Sequence, residues 1–162
     1  MTLRDAGEAD LPAIVAIFNA AVRTRMSSAV LEPVTVAERL AWFHKHSAER
    51  YPLWVAEMEN QIAGWLSFHQ FVKREAYRVS AEVSLYVHPD YRRRGIGRML
   101  LEESIARSPE LGFSALLGLI FGHNTGSLQL FAQLGFEQWG FLPRVARLDG
   151  IDRDVVIVGQ HL

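Results

Sequence analysis

Apolar residues near the start of the chain are spaced as on one face of a helix. Across residues 11–22 they recur three or four positions apart, and Asp10 stands where an N-cap would be. This pattern predicts a helix over residues 10–23 with Asp10 as its cap. Thr35 and Glu38 have the spacing of a capping box, so they predict the start of a second helix.

The middle and the end of the chain carry runs of apolar, β-branched and aromatic residues separated by turn residues. Glu59-Asn60-Gln61 is such a turn and predicts a hairpin between its flanking runs. Helical spacing of apolar residues returns after Gly95 and again after Asn124. Strands are therefore predicted at Leu3 and Arg4 and at residues 53–58, 62–68, 79–87, 115–121, 136–148 and 155–158, with a polar loop over residues 69–78.

The order of these elements is β-α-α-β-β-β-α-β-α-β-β. A helix between the strands at 79–87 and 115–121 indicates one parallel crossover within a mixed sheet. We therefore predict an α/β (α+β) fold in which a mixed central sheet of about seven strands is flanked by about four helices. No repeat, linker or change of composition divides the chain, so residues 1–162 are interpreted as a single domain.

Composition excludes several classes of function. The 17 Lys and Arg residues nearly balance the 18 Asp and Glu residues, which argues against a broad face for nucleic acid. The chain has no cysteine, so disulfides and a cysteine nucleophile are excluded. The six histidines show no metal-ligand spacing, and we expect no metal site. Neither a secretory signal nor a membrane-spanning segment is recognisable, so we expect a cytoplasmic protein without a membrane partner.

One short segment carries a chemical signal. Residues 92–97 read Arg-Arg-Arg-Gly-Ile-Gly and lie between a predicted strand and a predicted helix. A helix N-terminus offers unpaired N–H groups and a partial positive charge, and Gly95 and Gly97 let a ligand approach the backbone. The segment therefore predicts a phosphate or pyrophosphate site, although a basic helix cap with turn glycines would use the same residues. It is neither a P-loop nor a dinucleotide fingerprint, because the required lysine and third glycine are missing.

The surroundings of this segment resemble one enzyme superfamily. The strand Glu82–Pro89 precedes it, and Asn124–Ser127 and Leu134–Phe136 follow it. This combination resembles the GNAT N-acetyltransferases, in which the glycine loop binds the pyrophosphate of coenzyme A. Within them it more closely resembles the phosphinothricin N-acetyltransferase-like branch, which includes enzymes for methionine sulfoximine and methionine sulfone. The branch resemblance is carried by Arg4, Ala9-Asp10, Ile17, Asn19, Glu32-Pro33, Tyr51-Pro52, Val55–Glu57, Ala63-Gly64, Arg74, Ala76-Tyr77, Ala81-Glu82, Tyr86-Val87 and Ile120–Asn124.

The resemblance implies acetyl-CoA as co-substrate and Glu82 as the catalytic base. A base is needed because an amine is mostly protonated at neutral pH and only its neutral form attacks a thioester. A structural carboxylate paired with Arg74 is the alternative interpretation of Glu82. The residues implied to bind the cofactor are Leu85, Tyr86, Val87, Arg92, Arg93, Arg94, Gly95, Ile96, Gly97, Arg98, Asn124 and Ser127, of which Asn124 would also serve as an N-cap.

The loop before Glu82 is implied to form part of an acceptor pocket. A cation in this loop suits an acceptor with a carboxylate or phosphinate group, and an ordinary exposed polar loop is the alternative. The residues implied to bind the acceptor are Lys73, Arg74, Tyr77, Val83, Ser84, Phe18 and Asn19. One departure from the family concerns Phe131, which lies where many of these enzymes carry a tyrosine that protonates the departing thiolate. The identity of the general acid therefore stays open.

We interpret the chain as an N-acetyltransferase that transfers acetyl from acetyl-CoA to the primary amine of a small amino-acid-like acceptor, of the phosphinothricin or methionine sulfoximine type. Transfer would occur by direct attack in a ternary complex. Acetylation of a protein N-terminus or lysine is an alternative that needs an open groove, and a non-catalytic CoA-binding module is another. The resemblance also implies a homodimer, with which an edge tryptophan such as Trp139 is compatible.

Overall fold

The computed structural model describes the whole chain, Met1–Leu162, around one seven-stranded sheet of order β1-β2-β3-β4-β5-β7-β6. The predicted mixed α/β architecture of seven strands and four helices is confirmed. None of the helices is both long and apolar enough to cross a membrane. The strands are β1 Thr2–Asp5, β2 Leu53–Met58, β3 Gln61–Gln70, β4 Ser80–Val87, β5 Ala115–Phe121, β6 Glu137–Leu148 and β7 Ile151–His161. The helices are α1 Leu11–Thr24, α2 Val36–His44, α3 Ile96–Arg107 and α4 Thr125–Gln133.

The first two helices begin where the sequence predicts, but only one is capped as expected. The Thr35 hydroxyl accepts from the Glu38 N–H at 3.1 Å and the Glu38 carboxylate accepts from the Thr35 N–H at 3.2 Å, which confirms the capping box. The predicted side-chain cap at Asp10 is wrong. Arg4 donates to both oxygens of this carboxylate at 2.7 and 2.9 Å, and the Gly7 N–H donates at 2.7 Å. The carboxylate is thereby held by the residues before α1.

The predicted loop over residues 69–78 is shorter than expected. β3 continues through His69 and Gln70 because both pair in register with β4. The remainder contains one 3-10 turn, Glu75–Val79. Likewise, β7 extends well beyond the predicted 155–158, since β6 pairs with its charged first half. A strand ladder is made by backbone groups, so polar residues next to a good partner strand are drawn into it.

Hydrophobic clusters cover both faces of the sheet. On one face α3 and α4 pack on the strands, with Leu100 and Phe131 buried. On the other face α1 packs on β3 and β4, and Ile14 is buried with Val55 and Trp65. α2 packs against α1 on the same side. The two middle strands β3 and β4 are therefore covered on both faces, whereas β5, β7 and β6 have no helix on the α1 side.

Parallel pairing between β4 and β5 is short. It comprises three registered pairs, of which the last joins Glu82 to Leu117. Beyond this point β4 continues with β3 as far as Val87, and β5 continues with β7 as far as Phe121. The sheet therefore divides in its middle, directly after Glu82.

Close contact between β3 and α3 depends on Gly64. A Cβ atom at this position would lie 2.9 Å from Ile96 Cγ2 and 3.0 Å from the Tyr86 carbonyl oxygen. We expect Gly64→Ala to lower the free energy of unfolding by about 1–3 kcal/mol, as is usual for overpacked positions. Gly126→Ala in α4 is the control, because no atom lies within 4 Å of its added Cβ. Urea unfolding should show no loss for the control, and equal losses for both variants would contradict the packing argument.

Candidate active site

β4 has unpaired backbone groups where it separates from β5. The His88 N–H donates to the Ala63 carbonyl on β3 at 2.8 Å. Because backbone groups of alternate residues point to opposite sides of a strand, Tyr86 also directs its N–H and C=O toward β3. Leu85 and Val87 direct theirs into the space between β4 and β5, where no strand pairs with them. This edge can bind an extended ligand in the manner of an added strand.

A cleft runs along the separation of the two strands. Its floor is formed by Phe131 of α4, whose ring approaches the sheet closely at Gly118, since a Cβ there would lie 3.0 Å from Phe131 Cε1. The edges of β4 and β5 form the two sides of the cleft, and the N-terminus of α4 lies at one end of it. The lining residues are Ser27, Val83, Ser84, Leu85, Tyr86, Gly118, Leu119, Ile120, Phe121, Asn124, Ser127 and Phe131.

The loop between β4 and α3 presents free backbone N–H groups. No backbone N–H from residue 93 to residue 98 donates to an acceptor within the chain, and no side chain caps α3. Arg93 and Gly95 have positive φ angles of 63° and 78°. Left-handed residues next to right-handed ones give the backbone curvature of anion-binding nests. Together with the helix N-terminus, the loop is suited to a phosphate or pyrophosphate group.

The arginines of this segment divide into two groups. Arg94 pairs with Glu59 at 3.3 Å, and Arg98 pairs with Glu102 at 2.9 Å. Arg92 and Arg93 are exposed and form no ion pair. The donors available to a bound anion are therefore the backbone N–H groups and the guanidinium groups of Arg92 and Arg93, because those of Arg94 and Arg98 are already paired.

Glu82 is a half-buried carboxylate without a partner. It lies at the last parallel pair of β4 and β5, and it forms neither an ion pair nor a side-chain hydrogen bond. Burial raises its pKa above the ordinary value. Arg74, the partner that a purely structural role would require, is exposed and forms no ion pair. The ion pair with Arg74 that the structural interpretation names is not formed, and the role of Glu82 stays a prediction.

Aromatic and neutral polar groups surround Glu82 on the α1 side of the sheet. His69 is its registered cross-strand neighbour on β3, and His69 Nε2 lies 2.7 Å from the Ser67 hydroxyl. Burial, aided by nearby positive charge, lowers the pKa of His69 to about 4, so this ring is neutral at neutral pH. The ring of Tyr86 contacts Phe18 at a centroid distance of 5.4 Å, and burial raises its pKa to about 12.

The residues predicted to bind the acceptor are only partly brought together. Phe18 lies on the Glu82 side of the sheet through its contact with Tyr86. Asn19 is less available, because its amide exchanges two 2.8 Å hydrogen bonds with the backbone of Val34. Ser84 follows Glu82 on the same side of β4, and Val83 points to the opposite core. The loop residues Lys73, Arg74 and Tyr77 are exposed. Their roles stay predictions.

At the end of the cleft, Asn124 acts as an N-cap. Its side-chain oxygen accepts from the Ser127 N–H at 3.2 Å, which leaves its amide N–H groups free for a ligand. His123 instead bonds the Arg25 carbonyl at 2.8 Å and stacks on Phe121. The loop after β5 is thereby fixed to the end of α1. No cluster of three or more His, Asp or Glu side chains is arranged to hold a metal ion.

Sequence reasoning missed Arg39. Its guanidinium carbon lies 4.5 Å from the Phe18 ring centroid and 5.5 Å from that of Trp42. The residue is half-buried where α2 faces α1, and its charge acts on both His69 and Tyr86. The sequence around Arg39 does not predict these contacts, because they join α2 to α1 and to the sheet, which are distant along the chain.

Comparisons with known proteins are consistent with this geometry. The chain matches the model of the acetyltransferase (GNAT) family over residues 15–136. It is 46% identical to YwnH of Bacillus subtilis, a provisionally named phosphinothricin acetyltransferase, over 100% of this chain and 99% of that protein. It is 36% identical to an L-methionine sulfoximine/L-methionine sulfone acetyltransferase of Pseudomonas aeruginosa, over 99% of this chain and 94% of that protein.

Solved structures superpose over nearly the whole chain. A ribosomal-protein-alanine N-acetyltransferase from Brucella melitensis has a TM-score of 0.95 at 34% identity, with 100% of both chains covered. A phosphinothricin acetyltransferase from Sinorhizobium meliloti in complex with AcCoA has a TM-score of 0.94 at 33% identity, with 99% of this chain and 88% of that chain covered.

The burial of Glu82 predicts a pH-dependent gain of stability for Glu82→Gln. Because burial raises the pKa of Glu82 above its unfolded value of 4.5, the native state binds the extra proton between the two values. Wild-type stability therefore falls as pH rises through this window. The variant carries no charge, so its advantage in free energy of unfolding should grow from about pH 4 to about pH 7.

Urea unfolding of both proteins at the two pH values measures this advantage. The exposed carboxylate variant Glu110→Gln is the control and should differ little from wild type at either pH. A Glu82→Gln advantage that is constant with pH, or largest in acid, would show that burial does not disfavour the charged form.

Proposed function

The chain belongs to the acetyltransferase (GNAT) family, and from this premise we propose that it transfers acetyl from acetyl-CoA to the primary amine of a small amino-acid-like acceptor. The observation that carries the proposal is the juxtaposition of an unpaired strand edge, a loop of free N–H groups and an unpaired carboxylate. Leu85 and Val87 give the edge, residues 93–98 give the N–H groups, and Glu82 is the carboxylate. Each of these features lacks a partner within the chain.

These groups fit coenzyme A in a consistent order. The N–H groups of residues 93–98 would hold its pyrophosphate, and Arg92 and Arg93 add unpaired positive charge nearby. The backbone of Leu85 and Val87 would bind the pantetheine amides, with Asn124 and Ser127 along the cleft. The cofactor supplies an activated acetyl thioester when bound. The thioester of the cofactor would then lie at the end of the cleft nearest to Glu82.

Glu82 is proposed to act as the general base. It takes a proton from the acceptor ammonium, directly or through one water, so that the neutral amine can attack the thioester carbonyl. A backbone N–H on the free edge of β4 would stabilise the developing oxyanion. Holding both reactants in one ternary complex contributes further to the rate, because it makes the attack effectively unimolecular. No covalent intermediate on the protein is required.

Phe131 does not protonate the departing thiolate. Its ring is buried against Phe136 at a centroid distance of 4.8 Å and carries no ionisable group. A thiolate is a modest base, with a pKa of about 8.5 for a model thiol. We therefore propose that the proton comes from solvent in the open cleft.

Acetylation of a protein N-terminus is the second candidate function. The Brucella melitensis structure named as a ribosomal-protein-alanine N-acetyltransferase favours it by its TM-score of 0.95. The half-buried position of Glu82, with α1 and α2 packed on its side of the sheet, favours a small acceptor instead. Location in the cytoplasm stays a prediction.

We further propose that two copies of the chain associate through the uncovered part of the sheet. On the α1 side of β5, β7 and β6, Leu119, Trp139 and Leu142 are 49%, 40% and 39% exposed. Trp139 lies directly over Gly159, where any side chain would collide with its ring. A second copy is the proposed occupant, because apolar side chains so exposed across a sheet face are characteristic of an interface.

Thiol release from acetyl-CoA tests the catalytic proposal. Wild type should turn over with L-methionine sulfone, L-methionine sulfoximine or phosphinothricin as acceptor, and not with peptides that begin with alanine. Glu82→Gln should lower kcat/KM on the order of 100-fold or more, as is typical for loss of a general base. Because Glu82 has a raised pKa, wild-type kcat/KM should fall as pH falls through that pKa.

Calorimetric titration with acetyl-CoA is the matching control. Glu82→Gln should bind acetyl-CoA as wild type does, because Glu82 is not among the cofactor-binding groups. Unchanged turnover in the variant would remove Glu82 from the mechanism, and the absence of acetyl-CoA binding by wild type would remove the whole proposal.

Light scattering during size-exclusion chromatography tests the dimer. Leu142→Arg should shift the protein from two chains to one, because it places a charge on the proposed apolar interface. Val36→Arg is the control, since Val36 is 39% exposed on α2 and lies outside the interface. A wild-type protein that elutes as a single chain at all concentrations would contradict the proposal.

A further inference from the structure

Segment 25–31, between α1 and α2, lies at the cleft on its α1 side. Ser27 of this segment lines the cleft, whereas the other lining residues belong to β4, to β5 and to residues 124–131. The Ser27 carbonyl accepts from the Tyr86 hydroxyl at 3.4 Å. No helix covers β5 on this side, and Leu119 is 49% exposed there. The position of the segment therefore decides how far the cleft is open to water on the α1 side.

The Arg25 side chain joins the two ends of this segment. Its Nη1 donates to the Val22 carbonyl at 3.2 Å and to the Leu31 carbonyl at 2.6 Å. Val22 lies in the last turn of α1, and Leu31 is the final residue of the segment. Nε of Arg25 also donates to the Asp149 carboxylate, in the turn between β6 and β7, at 2.9 Å. One guanidinium group thus closes the segment into a loop and attaches it to the sheet.

The Arg25 backbone is attached to the β5 side of the cleft. Its carbonyl accepts from His123 Nε2 at 2.8 Å. The His123 ring stacks on Phe121 at a centroid distance of 5.5 Å, and Phe121 and the next residue, Asn124, both line the cleft. Arg25 therefore connects segment 25–31 to β5 and to the loop that follows it.

The backbone conformation at Arg25 indicates that its side chain is needed there. The residue follows the end of α1 with a φ of 59° and a ψ of 21°, a left-handed conformation in which glycine is favoured. The ion pair with Asp149 is largely exposed, so it contributes little by itself. The charge-assisted hydrogen bonds to the two carbonyls therefore carry most of the effect of this side chain.

We propose that Arg25 is a positioning residue that keeps segment 25–31 over the cleft, so that Ser27 shields the reacting thioester from water. The inference rests on the proposed function and adds a condition for productive transfer. If the segment were displaced, water would attack the thioester carbonyl and the C–S bond would break. Acetate, a proton and the free CoA thiol would then be released without an acetylated product. Arg25 acts through Ser27 and is not itself a catalytic residue.

Thiol release from acetyl-CoA, compared with the amount of acetylated product, tests the inference. L-Methionine sulfone is the acceptor. Arg25→Ala should lower kcat/KM for transfer roughly 10- to 100-fold, because a displaced wall of the cleft misplaces the reactants. The fraction of thiol released without acetylated product should rise in the same variant. Arg25→Lys keeps the charge but not the planar fork, so it should lie between wild type and Arg25→Ala in both measurements.

Arg147→Ala is the control variant. Arg147 pairs with Asp152 at 2.6 Å on the same β6–β7 hairpin that carries Asp149, and neither residue of this pair lines the cleft. The control should stay within about 2-fold of wild type in both measurements, as is usual for surface substitutions. Calorimetry should show acetyl-CoA binding by every variant, because no proposed cofactor-binding residue bonds to the Arg25 side chain.

Amide hydrogen exchange of residues 26–31 gives a measurement that does not depend on activity. In this segment Ser28 is buried and its hydroxyl accepts from the Val30 N–H at 3.1 Å. Arg25→Ala should speed exchange here, because the segment opens more often without its attachments. Arg147→Ala should exchange as wild type does. Equal exchange in wild type and Arg25→Ala would show that Arg25 does not hold the segment.

The outcomes separate this inference from the function on which it rests. Failure of wild type to acetylate any acceptor would overturn the proposed function, whatever the exchange rates are. Normal wild-type transfer, with an unchanged fraction of unproductive thiol release in Arg25→Ala, would overturn the shielding role alone. Losses of equal size in Arg25→Ala and Arg147→Ala would overturn it as well, because they would reflect the hairpin and not the segment.

Discussion

β4 and β5 are paired only as far as Glu82 and Leu117, and the candidate active site lies along the separation that follows. β5 is held by β7 along its whole length and β4 is held by β3, so neither strand bends to close the gap. Gly118 allows α4 to come close to β5, because the Phe131 ring approaches the sheet at this glycine. The separation thereby leaves free backbone hydrogen-bonding groups in the interior of the sheet, where an extended ligand could bind them.

The separation of β4 from β5 also determines the electrostatic surroundings of Glu82. It leaves Glu82 at the margin of the parallel ladder, partly removed from water and without a cation, and burial accordingly raises its pKa. An unpaired carboxylate in such a position reduces folding stability above its unfolded pKa, and proteins retain groups of this kind where chemistry needs them. The unpaired Arg39 on the same side of the sheet is a second charge that packing alone does not explain.

Much of the fold was predictable because its signals are local. The capping box at Thr35 and Glu38 and the glycine loop before α3 were read from adjacent residues, and both are in place. Errors arose where a distant partner decided the outcome. Arg4 binds the Asp10 carboxylate that was expected to cap α1, and β4 draws His69 into the sheet. Arg39 was missed for the same reason, because its importance comes from rings on α1 and from Tyr86, and no spacing along the chain encodes these contacts.

The distribution of arginines near α3 clarifies what the glycine loop contributes. Arg94 and Arg98 are held by Glu59 and Glu102, so the positive charge suggested by the sequence of the segment is partly neutralised within the chain. The free backbone N–H groups of residues 93–98 are not neutralised in this way, because no carboxylate or carbonyl accepts from them. They are also fixed by the helix, whereas an exposed arginine must lose side-chain freedom to bind. On the proposed function, anion binding at this loop would therefore depend on backbone conformation, above all on Gly95 with its φ of 78°, and substitution of the surrounding arginines should weaken it less than substitution of that glycine.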